Sequence, residues 1–115
     1  MGMEQPTELV FPIEKAIYLF SRETVPGQGG DKQKFWREIL GFESPEAIRA
    51  AILDSLTVAD LTWQRQDQYS DRYQAISYIQ GETSMGWWVR TGWIVRAGET
   101  AARFVTAIPT KARED

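Results

Sequence analysis

After Leu56 the hydrophobic repeat of the chain shortens from about 3.6 residues to two, and no other feature of the sequence limits the fold so strongly. Residues Asp60 to Gln68 alternate through Leu61 and Trp63, and Tyr69 to Asp71 supply a turn. Alternation resumes from Tyr73 to Gln80 and, past G-E-T-S-M-G, from Trp87 to Arg96. A-G-E-T then turns the chain into a last segment, Ala101 to Ile108. Four strands with connections this short predict an antiparallel meander.

Upstream of the change the spacing is helical. Ile13, Ile17 and Phe20 fall on one face, with Pro12 suited to a first turn, which predicts a short helix over Glu14 to Ser21. A second helix is predicted over D-K-Q-K-F-W-R-E-I-L-G-F, with Asp31 as N-cap, Gly41 as C-cap, and Phe35, Trp36, Ile39 and Leu40 as its apolar face. A third begins with Ser44 as cap and Pro45 in the first turn, and carries Ile48, Ile52 and Leu56 as its stripe. The predicted fold class is therefore α+β, with N-terminal helices packed on one face of a four-stranded antiparallel meander. Residues 1–10 read as a flexible arm, 11–109 as one domain and 110–115 as a tail, since 115 residues suffice for a single core.

The composition narrows the chemistry. The chain contains neither Cys nor His, which removes disulfides, thiolate or imidazole metal ligands, and the Ser-His and Cys-His couples. Proton transfer would fall to Lys, Tyr or a carboxylate, and any metal would need an all-oxygen cage. Asp67 with Asp71, and Glu43 with Glu46, fall in turns and caps where acids have structural uses, so no metal site and no cofactor is predicted. The first residues are acidic where a signal peptide needs cations, and no apolar run reaches membrane-spanning length, which predicts a cytoplasmic protein with no membrane partner. A net charge of −3 with a pI near 5.0 disfavours non-specific nucleic-acid binding while allowing a local basic patch.

Two stretches are candidates for binding. G-Q-G-G-D-K-Q-K, Gly27 to Lys34, is a glycine-rich approach to a helix start, but it lacks the G-x-x-x-x-G-K-[ST] spacing of a nucleotide loop. The longest strand is the richer one. Period two puts Trp87, Val89, Thr91, Trp93 and Val95 towards the helices and Trp88, Arg90, Gly92, Ile94 and Arg96 on the other face. Gly92 in mid-strand points to a bulge or to close approach by a ligand or chain. Trp88, Arg90, Ile94, Arg96 and Arg103 are the predicted binding residues, with Trp88 placed to stack on a base or to meet a second copy.

The motif order K-Q-K-F-W-R-E-I-L-G-F, then V-R-T-G-W-I-V-R, then A-R-F-V-T-A-I-P resembles an uncharacterised bacterial domain-of-unknown-function family over about Lys15 to Pro109. Members carry a G-x-x-K-A-x-F-F helix start, a vrT-x-W strand and a terminal R-L-V-T-A-Y-P strand. The family is similar in layout to the barnase/EndoU/colicin/RelE-like nuclease toxins. The matching positions are Lys32, Arg90 with Thr91, and Arg103 with Thr106. The resemblance implies that, in a metal-free RNA-cleaving toxin, Lys32, Arg90 and Thr106 would be catalytic. This chain departs from the pattern at Gln33, where a small residue is usual, and at Ile108, where Tyr is common.

Two functions therefore stand side by side. One is a non-catalytic interaction module whose partner is a protein or a second copy, placed ahead of nucleic acid. The other is an RNA-cleaving toxin domain. Convergence of Lys32, Arg90, Arg96 and Thr106 on one cleft would favour the second. Pairing of the arginines with acids would favour the first.

Overall fold

The strands form where the two-residue rhythm predicts them, in a computed structural model that describes residues 5–21 and 35–110. Strand β1 is Glu8–Val10, β2 Thr62–Gln66, β3 Ser70–Gln80, β4 Gly86–Arg96 and β5 Ala101–Pro109; helix α1 is Ile13–Ser21 and α2 Pro45–Ser55. The sheet order is β1-β5-β4-β3-β2, with β2 to β5 pairing as the antiparallel meander. The predicted Asp31 cap, Lys32, the glycine-rich loop, the first four residues of the predicted arm and most of the predicted tail lie outside the described residues.

The four-stranded expectation needs one correction, because the sheet has five strands and is mixed. Residues 8–10, read from the sequence as part of the arm, run parallel to β5 in the register Glu8 with Ala101 and Val10 with Arg103. Thr7 extends the pairing, its N–H donating to the Thr100 carbonyl at 2.9 Å. Three residues are too few to show an alternation, and a parallel partner more than ninety residues away leaves no local signal.

Helices α1 and α2 pack together and cover one face of the sheet. Ser44 caps α2, its Oγ accepting from the Ala47 N–H at 3.1 Å, and Pro45 takes a position where no N–H is needed. Ile48, Ile52 and Leu56 are buried as predicted, each adding about 2 kcal/mol by the usual burial scale. Between the helices the chain makes one π-helical turn, Phe35–Ile39, instead of the α-turn that the spacing predicts, with the Leu40 N–H bonded to the Phe35 carbonyl at 3.0 Å. The wider turn brings the adjacent Phe35 and Trp36 inward together and leaves Ile39 36% exposed, against the expectation of a buried Ile39. Gly41 ends it at φ +75°, a conformation that suits only glycine at low cost.

The inward side chains of the sheet follow the predicted phase. Val89, Thr91 and Trp93 of β4 are buried, with Tyr73, Ala75 and Ile79 of β3 beside them. Trp87 shares that face but lies at the rim, 39% exposed, with its ring edge-on to Phe35 at 6.1 Å. Phe11 stacks on Phe104 at 4.0 Å, and both meet the Trp93 ring edge-on. Among the described residues no helix is long and apolar enough to cross a membrane.

Candidate functional site

The face of the sheet away from the helices has no layer over it among the described residues, and the register fixes what it displays. Across β5, β4 and β3 the outward positions form rows: Ile108, Arg90 and Ile76; then Thr106, Gly92 and Gln74; then Arg103, Ile94 and Arg72. Arg65 of β2 continues the third row. Arg96 lies beyond it, opposite Ser70, and Trp88 lies at the other end, opposite Tyr78. Five arginines thus share one face, and Glu8 on the short strand β1 is the one acid that the described strands place there. On a chain of net charge −3, the acid excess is carried elsewhere.

A bulge makes this arrangement possible. Arg103 and Thr106 are three residues apart, so strict alternation would put them on opposite faces. The register shifts between Gly92 and Trp93, which pair with Thr106 and Phe104, and Val105 is the extra residue. Downstream of it the phase of β5 is inverted: Arg103 and Thr106 both face outward, and Phe104 and Ala107 are both buried. Gly92 sits opposite the bulge, so the bulge is the reading of that glycine that the backbone bears out. The Thr106 methyl comes within 3.3 Å of where a Cβ on Gly92 would be, so a larger residue would be crowded opposite the bulge.

Arg90 and Thr106 are diagonal neighbours beside Gly92, within about 8 Å of each other along the sheet. Arg96 is not part of that cluster, since six residues of β4 separate it from Arg90 by ~20 Å. Lys32 lies outside the described residues. The arginines divide in their pairing. Arg72 donates to Asp67 at 2.9 Å and Arg103 to Glu99 at 3.2 Å, whereas among the described residues Arg90 and Arg96 have no acid within ion-pair reach. Trp88 is half-buried, its ring edge-on to Tyr78 at 5.4 Å, and Ile94 is half-buried between Arg103 and Arg72. Thr91, matched by the resemblance alongside Arg90, is on the opposite face. It is fully buried, its Oγ1 donating to the Ala75 carbonyl at 3.0 Å and accepting from the Trp93 indole N–H at 2.8 Å. The T-x-W spacing is thus a structural hydrogen bond beneath the sheet.

Of the acid pairs noted in the sequence, Asp67 and Asp71 are engaged. Asp67 accepts from the Tyr69 and Ser70 N–H groups, the Ser70 hydroxyl and Arg72. Those bonds, led by that from Arg72, hold its carboxyl far below the usual carboxylate range. Asp71 accepts from the Trp63 indole at 3.1 Å. No group of three or more acids that could hold a metal occurs among the described residues. Sequence reasoning missed Tyr69, which is 71% exposed on the β2–β3 turn next to Arg96; an aromatic in a D-x-x-S turn was the available signal.

The profile of a Domain of unknown function (DUF6883) matches residues 12–111, nearly the whole chain. The chain belongs to that family. Among solved structures, the family fold seen here is similar to a chain of a contact-dependent growth inhibition toxin–immunity protein complex from Klebsiella pneumoniae 342. The TM-score is 0.64 at 21% identity, over 88% of this chain and 99% of that one. At that identity the likeness is one of fold. No curated protein matches the chain significantly.

Proposed function

We propose that this domain is the toxin half of a bacterial toxin–immunity pair and that it binds and cleaves RNA across the open sheet face. The observation that carries the proposal is the segregation of five arginines onto that face of an acidic chain, with Arg90 beside Gly92 and without an acid partner among the described residues. Such a footprint suits a phosphate backbone. The toxin–immunity neighbour gives the fold a setting in which this chemistry has a use.

With neither His nor Cys, the available donors favour a route in which RNA supplies its own nucleophile. The 2′-oxygen attacks the adjacent phosphorus, the bond to the 5′-oxygen breaks, and a 2′,3′-cyclic phosphate and a 5′-hydroxyl result. One proton leaves the 2′-hydroxyl for a base and another reaches the departing 5′-oxygen. Arg90 and Thr106 are assigned to the non-bridging oxygens, whose charge grows in the transition state. Lys32 is assigned to proton transfer. Incubation with total RNA should yield fragments ending in cyclic phosphate, and Arg90→Ala should slow this by about 10²-fold or more, as loss of one transition-state donor does. Intact RNA after prolonged incubation with the unaltered protein would refute the proposal.

The interaction-module reading keeps two observations in its favour, the half-buried Trp88 and Ile94 on the same face and the pairing of Arg72 and Arg103 with Asp67 and Glu99. It predicts self-association there, and a monomer in sedimentation at high protein concentration counts against it.

A further inference from the structure

At the end of the open face remote from Arg90, a cleft of about 610 Å³ lies between the β2–β3 turn and the end of β4. Tyr69, Arg72, Ile94 and Arg96 are among its lining residues, with Asp67. The Tyr69 backbone is held on both sides. Its N–H donates to Asp67 Oδ1 at 3.2 Å, and its carbonyl accepts from the Ala97 N–H at 2.9 Å. The residue is nonetheless 71% exposed. A rigidly mounted aromatic left in solvent gains nothing for folding, yet it gives a flat ligand a surface to stack on at little entropic cost. The charges around it fit the same ligand. Asp67 is engaged by Arg72 and Ser70, while Arg96 has no acid within reach among the described residues and remains available for an anion.

We infer that this cleft is a second nucleotide subsite, in which a base of single-stranded RNA stacks on Tyr69 and its phosphate meets Arg96. The inference rests on the RNA reading of the open face and extends it. RNA lies along β4, with the scissile phosphate beside Gly92 and a flanking nucleotide ~7 to 13 Å away at the Ile94–Arg96 end. The subsite contributes to affinity and to the length of RNA engaged, and does not touch the reacting atoms.

The test uses a fluorescent 2′-O-methyl RNA dodecamer, which binds but cannot be cut through its 2′-oxygens, with anisotropy measured over a range of salt concentrations. Tyr69→Ala should weaken binding roughly 5- to 150-fold, the range for one base–aromatic stack, and Tyr69→Phe should restore it. Arg96→Ala should lower the slope of log K against log salt by about 0.7, the value for one phosphate contact on a single strand. Melting temperatures of the Tyr69 variants should match the parent, because the ring is outside the core. If the parent binds and cleaves RNA while Tyr69→Ala binds equally well, the subsite is refuted and the proposed function stands. Equal weakening by Tyr69→Ala and Tyr69→Phe would refute stacking in favour of a hydroxyl contact. If the parent neither binds the dodecamer nor cleaves RNA, the proposed function fails and the subsite falls with it.

Discussion

Replacing Thr91 by Val exchanges a hydroxyl for a methyl in a fully buried position, and the structure sets what that change should cost. The Thr91 hydroxyl accepts the Trp93 indole N–H at 2.8 Å and donates to the Ala75 carbonyl at 3.0 Å. Trp93 is itself 1% exposed, so without this acceptor its N–H has neither water nor another partner. Leaving a buried donor unsatisfied costs about 1–3 kcal/mol, while the added methyl returns less than 1 kcal/mol of burial. The net expectation is a loss of about 1–2 kcal/mol, which for a domain of this size lowers the melting temperature by roughly 4–8 °C. Urea denaturation should show the midpoint falling at constant slope. Thr91→Val paired with Trp93→Phe forms a double-mutant cycle, and a coupling of about 1 kcal/mol or more should appear, because the phenyl ring has no N–H to strand. RNA cleavage per folded molecule should be unchanged, since Thr91 points towards the helices. Full stability of Thr91→Val, or a coupling near zero, would refute the account of the T-x-W spacing as a structural bond.

Other outcomes can be checked on the same preparations. Ser44→Ala removes the α2 cap and should cost about 1 kcal/mol in urea denaturation, with Ser44→Asp restoring it. Asp67 has its folded value depressed, so the stability it supplies is complete above its unfolded value near ~3.9 and is lost as pH falls below that. Asp67→Asn should accordingly flatten the acid limb of a stability-versus-pH curve, and an unchanged limb would exclude that role. Gly81→Ala would drive a Cβ into the Leu40 backbone and should destabilise the fold by 1 kcal/mol or more on the order of other overpacking changes, measurable by calorimetry.

The parts of this fold legible in the sequence are those governed by local periodicity. Strands β3, β4 and β5 fall within a few residues of their predicted limits because alternating apolar residues and glycine-bearing turns mark them, and the inward phase of β4 follows from the same rhythm. The capped helix α2 was equally clear, since Ser44 and Pro45 act within one turn. What escaped was set at a distance or against the local period. Strand β1 exists only through its pairing with β5. The π-helical turn has an α-helical spacing and is distinguished by burial of the adjacent Phe35 and Trp36. The site behaved in the same way: Arg90, Ile94 and Arg96 could be put on the open face by counting in twos, but Arg103 and Thr106 share it only because Val105 breaks the count. Gly92 was the visible trace of that break. Tyr69 does not stand out in the sequence, where the turn reads as Tyr69 to Asp71, whereas Asp67 organises it through four hydrogen bonds.

An open sheet face this apolar should be prone to association, and its pattern explains how the arginines temper that. Arg90 lies between Ile108 and Ile76, and Ile94 lies between Arg103 and Arg72, so charged and aliphatic side chains alternate across the strands in both rows. Arginine stems can lie over neighbouring isoleucines while the guanidinium heads stay in water, which shields the apolar surface in the free protein. The same chequered surface meets both demands of a nucleic-acid strand, cations for phosphates and apolar or aromatic surface for bases. It follows that Arg90→Ala removes two things at once, a phosphate contact and the cover over Ile76 and Ile108. Arg90→Lys separates them, because lysine keeps an aliphatic stem and a charge but not the planar fork. If Arg90 serves the phosphate, the lysine variant should remain as monodisperse as the parent and still lose most of its RNA cleavage. Were the lysine variant fully active and the alanine variant merely aggregated, the role of Arg90 would be that of a cover, and the centre of the site would have to be sought elsewhere on the face.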